Sequence, residues 1–292
     1  MTHLASDFDA PATVSSAVPF VAATRHGAMH LTLQRPSTPA RRSAASLHAA
    51  AVLAEAEPLL QWLEDWLGEA LDPAPCETCS QADVPAARLH WRWGELAAIV
   101  DVPWPALLAC RPAPELAGFW RDAVRWEELA LQLVIAHEPL ADDEWHALQV
   151  PGAGWLLRES FGADGHWPCE LRLQLGAAVH AWPAHWQPGR RRLAWNAAPS
   201  LCRPAPHECA QAVLARPLHL TPPALLGWHG EPACDCSADQ PVAVLPAPIQ
   251  GRCALAAHLV PIGLRLARAE ANASVAGAGA LHAGYVLQVE AD

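Results

Sequence analysis

The sequence predicts an α+β, strand-rich protein, with an N-terminal α+β unit followed by β modules. Three observations predict it. Early in the chain Leu59, Leu63, Trp66 and Leu67 recur at helical spacing. Next, Leu89, Trp91 and Trp93 alternate with His90 and Arg92 and run into Gly94, the pattern of a hairpin. A longer pattern then occurs twice. Leu129-Ala-Leu-Gln-Leu-Val-Ile135 leads, after a polar connection, to Leu148-Gln-Val-Pro-Gly-Ala-Gly-Trp-Leu-Leu157. Ile262-Gly-Leu-Arg-Leu266 leads at almost the same spacing to Ala280-Leu-His-Ala-Gly-Tyr-Val-Leu287.

Residues 1–42, rich in Ala, Ser, Thr and Pro, read as a mobile N-terminal arm with one candidate strand at 28–33. Residues 43–122 read as the N-terminal α+β domain. It is helical from Ser43 to about Ala70, with Pro58 separating two helices. A polar loop over 72–83, the hairpin and a proline-interrupted connection from Trp104 to Trp120 complete it. The first module spans 125–198. In it Leu129, Leu131, Leu133 and Ile135 share a strand face, and Asp142 reads as the cap of a short helix holding Trp145 and Leu148. Trp155–Phe161, Cys169–His180 and Arg191–Trp195 read as further strands. Residues 199–250 hold many prolines and read as a linker. Residues 251–292 read as a second, partial module, whose missing strands come from another chain or from part of 216–250.

Composition narrows the functional classes. With 52% hydrophobic and 17% charged residues over 292 positions, the chain can bury more than one core. All 19 basic residues are arginine, so Schiff-base, P-loop and lysine-base chemistry are excluded. A formal net charge of -11 argues against a general phosphate-backbone binder. Arg190-Arg191-Arg192 runs against that trend locally; it reads as an exposed turn or a contact for an acidic partner, nucleic acid or acidic lipid. The start lacks a basic stretch followed by an apolar run, and no stretch is long and apolar enough to span a bilayer, so a cytoplasmic location is expected. Nine cysteines then read as thiols or metal ligands rather than disulfides.

Several chemical motifs begin and fail. Cys76-x-x-Cys79 has the spacing of half a zinc site, and Cys234-x-Cys236 with His229 could supply the rest, which makes a zinc-binding protein or metalloenzyme the alternative reading. The same cysteine pair after Pro75 matches half of a deaminase signature, but no upstream His-x-Glu accompanies it. His137-Glu138 and His207-Glu208 start like metalloprotease helices, yet Ala141 and Gln211 stand where the second histidine is needed. No nucleophile elbow, dinucleotide fingerprint or P-loop occurs, so no enzymatic activity and no cofactor are expected. Fourteen tryptophans against one tyrosine favour core or interface packing over a ring-stacking platform.

On the two repeats the chain resembles the cytoplasmic-ring component of type III secretion systems, a family related to flagellar switch proteins and carrying C-terminal SPOA modules. The matching residues are Leu129–Ile135 with Leu148–Leu157, and Ile262–Leu266 with Leu281–Leu287. The helix around Leu59–Leu67 fits the N-terminal unit of that family. The chain departs from the pattern after the turn glycines, where Ala153, Trp155 and Tyr285 replace the usual acidic residue. The resemblance implies a non-enzymatic scaffold of the sorting platform, peripherally associated with an inner-membrane secretion complex. Its implied partners are the export ATPase stator, the membrane-ring adaptor, and a second copy or a strand-donating paralogous SPOA chain. The expected interface residues are Leu131, Leu133, Trp155 and Leu156 in the first module, and Leu264, Leu266, Tyr285 and Leu287 in the second. Ordinary core packing would use the same apolar residues.

Overall fold

The computed structural model describes residues 15–36, 45–76, 85–110, 123–150, 152–156, 166–176, 178–201, 209–237, 239–246, 254–265 and 281–289. It divides into two compact units, Met1–Glu127 and Glu128–Asp292. All strand pairings described below are antiparallel, and the fold is broadly α+β with strands dominant.

The first unit begins with a long hairpin, β1 (Ser15–Thr24) and β2 (Gly27–Pro36). Helices α1 (Ala45–Glu55) and α2 (Glu57–Leu67) follow, then β3 (Ala74–Pro75), β4 (Ala86–Trp93), β5 (Leu96–Pro103), α3 (Trp104–Ala109) and β6 (Val124–Trp126). The strands form one sheet in the order β3-β1-β2-β5-β4-β6. Phe20, Leu31, Val100 and Leu89 oppose one another in register across its four central strands, and all four are fully buried. Residues 15–36, expected as part of a mobile arm with one strand, instead lie inside the sheet as β1 and β2; the rest of 1–42 lies outside the described residues. Pro19 sits within β1 although proline cannot donate to a ladder. Its carbonyl accepts from the Cys76 amide at 3.1 Å, so the side on which its donor is missing faces only the two-residue β3.

Helix α2 starts with Pro58 in its first turn and ends at Gly68, whose φ of 66° is left-handed and whose amide donates to the Glu64 carbonyl at 2.8 Å. Its buried face is Leu59, Leu60, Leu63, Trp66 and Leu67. Trp66 meets Trp126 of β6 edge to face, with centroids 5.9 Å apart. At the tip of the first hairpin, the Arg25 guanidinium donates to the Leu67 carbonyl, and the Arg25 amide donates to Glu69 at 3.1 Å. A cation at the helix C-terminus suits the helix dipole and ties the hairpin to α2. Trp91 is buried as a core residue, whereas Trp93 at the β4–β5 turn is 41% exposed.

The second unit contains β7 (Leu129–Pro139), α4 (Asp142–Leu148), β8 (Gly154–Leu156), β9 (Trp167–Leu175) and β10 (Ala178–Gln187). A 3-10 turn at Pro188–Arg190 leads to β11 (Arg192–Trp195), β12 (Ser200–Leu201), β13 (Cys209–Leu214) and β14 (Leu218–Leu220). Then come α5 (Pro222–Leu225), β15 (Ala233–Asp235), β16 (Val242–Leu245), β17 (Leu255–Arg265) and β18 (Leu281–Val289). The sheet order is β15-β11-β10-β9-β7-β13-β16-β17-β18-β8, with β12 also pairing β10 and β14 also pairing β7. Trp145 and Leu148 of α4 are buried, and the amide of Ala141 donates to Glu144 at 2.9 Å, so Ala141 holds the cap position expected for Asp142, and Asp142 is the first helical residue.

Two sequence expectations change here. The segment Cys169–His180 is not one strand, because Gly176 adopts φ 61° and turns β9 into β10. The described part of residues 199–250 is not a linker, since it supplies β12 to β16 to the sheet and holds the helix α5. Their prolines punctuate rather than disrupt. Pro222 and Pro223 open α5, and Pro232 and Pro241 stand just before β15 and β16 with carbonyls accepting from Trp195 and Ala215. Buried tryptophans pin this region down. The Trp186 indole donates to the Cys236 carbonyl at 2.9 Å, Trp195 donates to Leu225 at 2.8 Å, and Trp167 ties β9 to the Ile135 carbonyl of β7 at 2.9 Å. Among the described residues, no helix is long and apolar enough to cross a membrane.

Candidate assembly interface

The two repeated strand pairs lie in one continuous run, β7-β13-β16-β17-β18-β8. The first copy's second strand does not pair with its own first strand. Instead β8 pairs with β18, setting Trp155 opposite Leu287 and Leu156 opposite Val286. The run therefore starts and ends on the first copy and encloses the second. Its ends approach each other, since the Trp155 indole nitrogen is 3.4 Å from the Glu138 carboxylate on β7. The alternation that marks β7 in sequence reflects a central strand. Leu131, Leu133 and Ile135 are buried on one face, and Val134 and Ala136 are buried on the other.

Among the expected interface residues, Leu131, Leu133 and Trp155 are packed inside this chain. Leu133, Leu171 and Trp182 form a fully buried row across β7, β9 and β10. These three positions thus serve the core in the described chain, which is the use that apolar residue type alone could not distinguish from an interface. Leu156, Leu264, Tyr285 and Leu287 are placed by backbone on β8, β17 and β18. Leu266 lies outside the described residues.

Strands β17 and β18 extend past their neighbours. β16 pairs with β17 only at Leu255–Ala257, and β8 pairs with β18 only at Val286–Gln288. Beyond those points Pro261–Arg265 and Leu281–Tyr285 form a two-stranded ribbon, with Pro261 opposite Tyr285 and Leu264 opposite His282. Among the described residues, neither strand of this ribbon has a second neighbour. Unpaired strand edges of this kind are templates for pairing with another chain.

The zinc alternative fares differently. Cys76 lies in the first unit and Cys234 and Cys236 in the second, while Cys79 lies outside the described residues. Among the described residues, no three His, Cys, Asp or Glu side chains come together as a metal site. Burial pushes the Cys234 thiol up to about 11, with Asp235 adding to the shift, and pushes Cys236 up to about 12, with Cys234 and Asp235 adding. Burial also raises Cys169. Electrophiles engage the thiolate, and burial at these sites favours the thiol. His137-Glu138 lies on strand β7, which separates it from the helical metalloprotease pattern.

The raised thiols carry a pH signature. A group whose folded value lies above its unfolded value of about 8.5 contributes stability that is complete below that pH. That contribution is lost as pH rises through the folded value of about 12. The melting temperature of the second unit is therefore expected to fall more steeply above pH ~8.5 in the native protein than in Cys236→Ala. Parallel pH profiles in a calorimetric comparison would refute this.

Comparison of the chain with protein-family models, with curated proteins and with solved structures gives no match.

Proposed function

We propose that this chain is a non-enzymatic structural component of the cytoplasmic ring or sorting platform of a type III protein secretion system, built on SPOA-like modules and acting by protein–protein assembly. The observation that carries this reading is the pairing of β8 with β18, which interlocks two copies of one sequence pattern inside a single chain. Intertwined strands are the assembly mode of SPOA modules, so the repeat and its topology agree. The β17–β18 ribbon supplies the edges on which a second copy or a paralogous SPOA chain pairs, with Leu264 and Tyr285 on it as contacts; Leu266 and Leu287 are the further proposed contacts, the latter on the part of β18 that β8 already pairs. The export ATPase stator and the membrane-ring adaptor are its further partners, and it works in the cytoplasm, held peripherally at the inner-membrane complex.

The test is purification of the tagged full chain from cells carrying an intact secretion apparatus. The stator and adaptor should co-purify, and light scattering should give a mass above that of one chain. Recovery of a monomer with neither partner would overturn the proposal.

A further inference from the structure

The turn between β10 and β11 carries Arg190, Arg191 and Arg192 in succession, in a chain whose formal net charge is -11. Arg190 closes the 3-10 turn and Arg192 opens β11. Between them Arg191 has φ 54°, the one non-glycine residue in the left-handed region among the described residues. That conformation is costly for a side chain with a Cβ, and such strain persists only where the surroundings enforce it. Here the Cys236 amide donates to the Arg191 carbonyl at 2.7 Å and anchors the turn to the end of β15.

Strand β15 ends the sheet, and its sole strand neighbour among the described residues is β11, with Arg192 opposite Asp235 and Ala194 opposite Ala233. The Cys236 amide and the Pro232 carbonyl point towards β11, bonding Arg191 and Trp195. Backbone direction alternates along a strand, so the amides and carbonyls of Ala233 and Asp235 point away from β11, onto an open edge. A shallow, open cavity of about 520 Å³ is lined by Arg190, Arg191 and Arg192 together with Ala233, Cys234 and Asp235 of β15.

The charges at this cavity are exchangeable. Arg192 meets Glu231 at 3.0 Å and Arg191 lies 3.5 Å from Asp235, and each of these side chains is at least half exposed. Exposed pairs contribute little and give way to another carboxylate. Arg190 has no carboxylate partner among the described residues.

We propose that the β15 edge and the arginine turn form a docking site for an extended acidic peptide segment of a partner protein. The segment adds to β15 as a further strand and sets its carboxylates against Arg190, Arg191 and Arg192. The open edge selects an extended backbone, and the planar guanidinium fork selects carboxylates. A nucleic acid would use the arginines but not the edge, and the net negative charge of the chain opposes a long polyanion. The site uses neither repeated strand pair, so it stands or falls separately from the assembly role proposed above.

The test is fluorescence anisotropy of the full chain with a labelled heptapeptide of alternating glutamate and valine. Saturable binding that weakens with added salt is expected. Replacing the peptide glutamates by glutamine should weaken binding by about tenfold or more, as should the double substitution Arg190→Ala, Arg192→Ala. Ala233→Pro removes an outward amide while leaving all charges in place, and should cost a similar factor. An unchanged thermal midpoint in each variant shows that it is folded. Native affinity in Ala233→Pro, or equal binding of the glutamine peptide, would overturn the proposal. So would tighter, arginine-dependent binding of an oligothymidylate of equal charge.

Discussion

Trp186→Ala is expected to lower the stability of the second unit by about 3–5 kcal/mol, the range for truncating a fully buried large aromatic. Trp186 on β10 has no solvent exposure, lies 5.9 Å from the Trp167 ring, and donates its indole N–H to the Cys236 carbonyl at 2.9 Å. The substitution removes packing and also strands a buried carbonyl. Trp186→Phe keeps much of the apolar contact but loses the donor and part of the ring volume, so a smaller cost of about 1–3 kcal/mol is expected. Domain stabilities are typically about 5–15 kcal/mol, so the alanine variant should expose a large part of the unit at moderate urea. Urea unfolding followed by near-ultraviolet circular dichroism measures both. A cost for Trp186→Ala below that of Trp186→Phe would refute the account. The same loss should release the segment around β15 first, because Cys236 is where the indole holds it.

That dependence explains which parts of the fold could be read from sequence. The face of α2, the β4–β5 hairpin, Trp145 and Leu148 on α4, and the alternating strand β7 all show in local periodicity, because each element meets its core through neighbours three, four or two positions apart. Strand β1 does not show, since Ala22 and Ala23 carry little apolar signal and Pro19 weighs against a strand. Strands β12 to β16 are too short for periodicity, and what holds them is distant: Trp195 reaches Leu225, and Trp186 reaches Cys236. The arginine triplet was legible as an exposed turn, but not the strand edge beside it, because β15 is three residues long. At the candidate interface the repeat itself was plain. The destination of β8 was not, because strand pairing across more than a hundred residues leaves no local trace. Nor could residue type separate core from interface at Leu131 and Leu133, as both uses select the same apolar side chains.

The second large effect concerns that interlock. In β18, Val286 and Leu287 have strand neighbours on both sides: Val260 and Leu259 on β17, Leu156 and Trp155 on β8. His282 and Ala283 have a described neighbour only on the β17 side. Backbone amides alternate in direction along a strand, so one of any two consecutive amides points to each flank. Val286→Pro and Leu287→Pro should therefore both break a ladder bond, each costing about 3 kcal/mol or more. Of His282→Pro and Ala283→Pro, one should break a bond to β17 and the other should meet only the open edge, with a cost smaller by about 1 kcal/mol or more. Chemical denaturation of the four variants reads this asymmetry directly. If β8 did not pair with β18, the Val286 and Leu287 variants would differ from each other as the His282 and Ala283 variants do, and equal, large costs at both would not occur. Whichever proline falls on the open edge also blocks strand addition there while leaving the unit folded. In that variant, capture of a second copy or of a paralogous chain through the β18 edge should be lost, leaving only pairing along β17, while the melting profile stays close to that of the native protein.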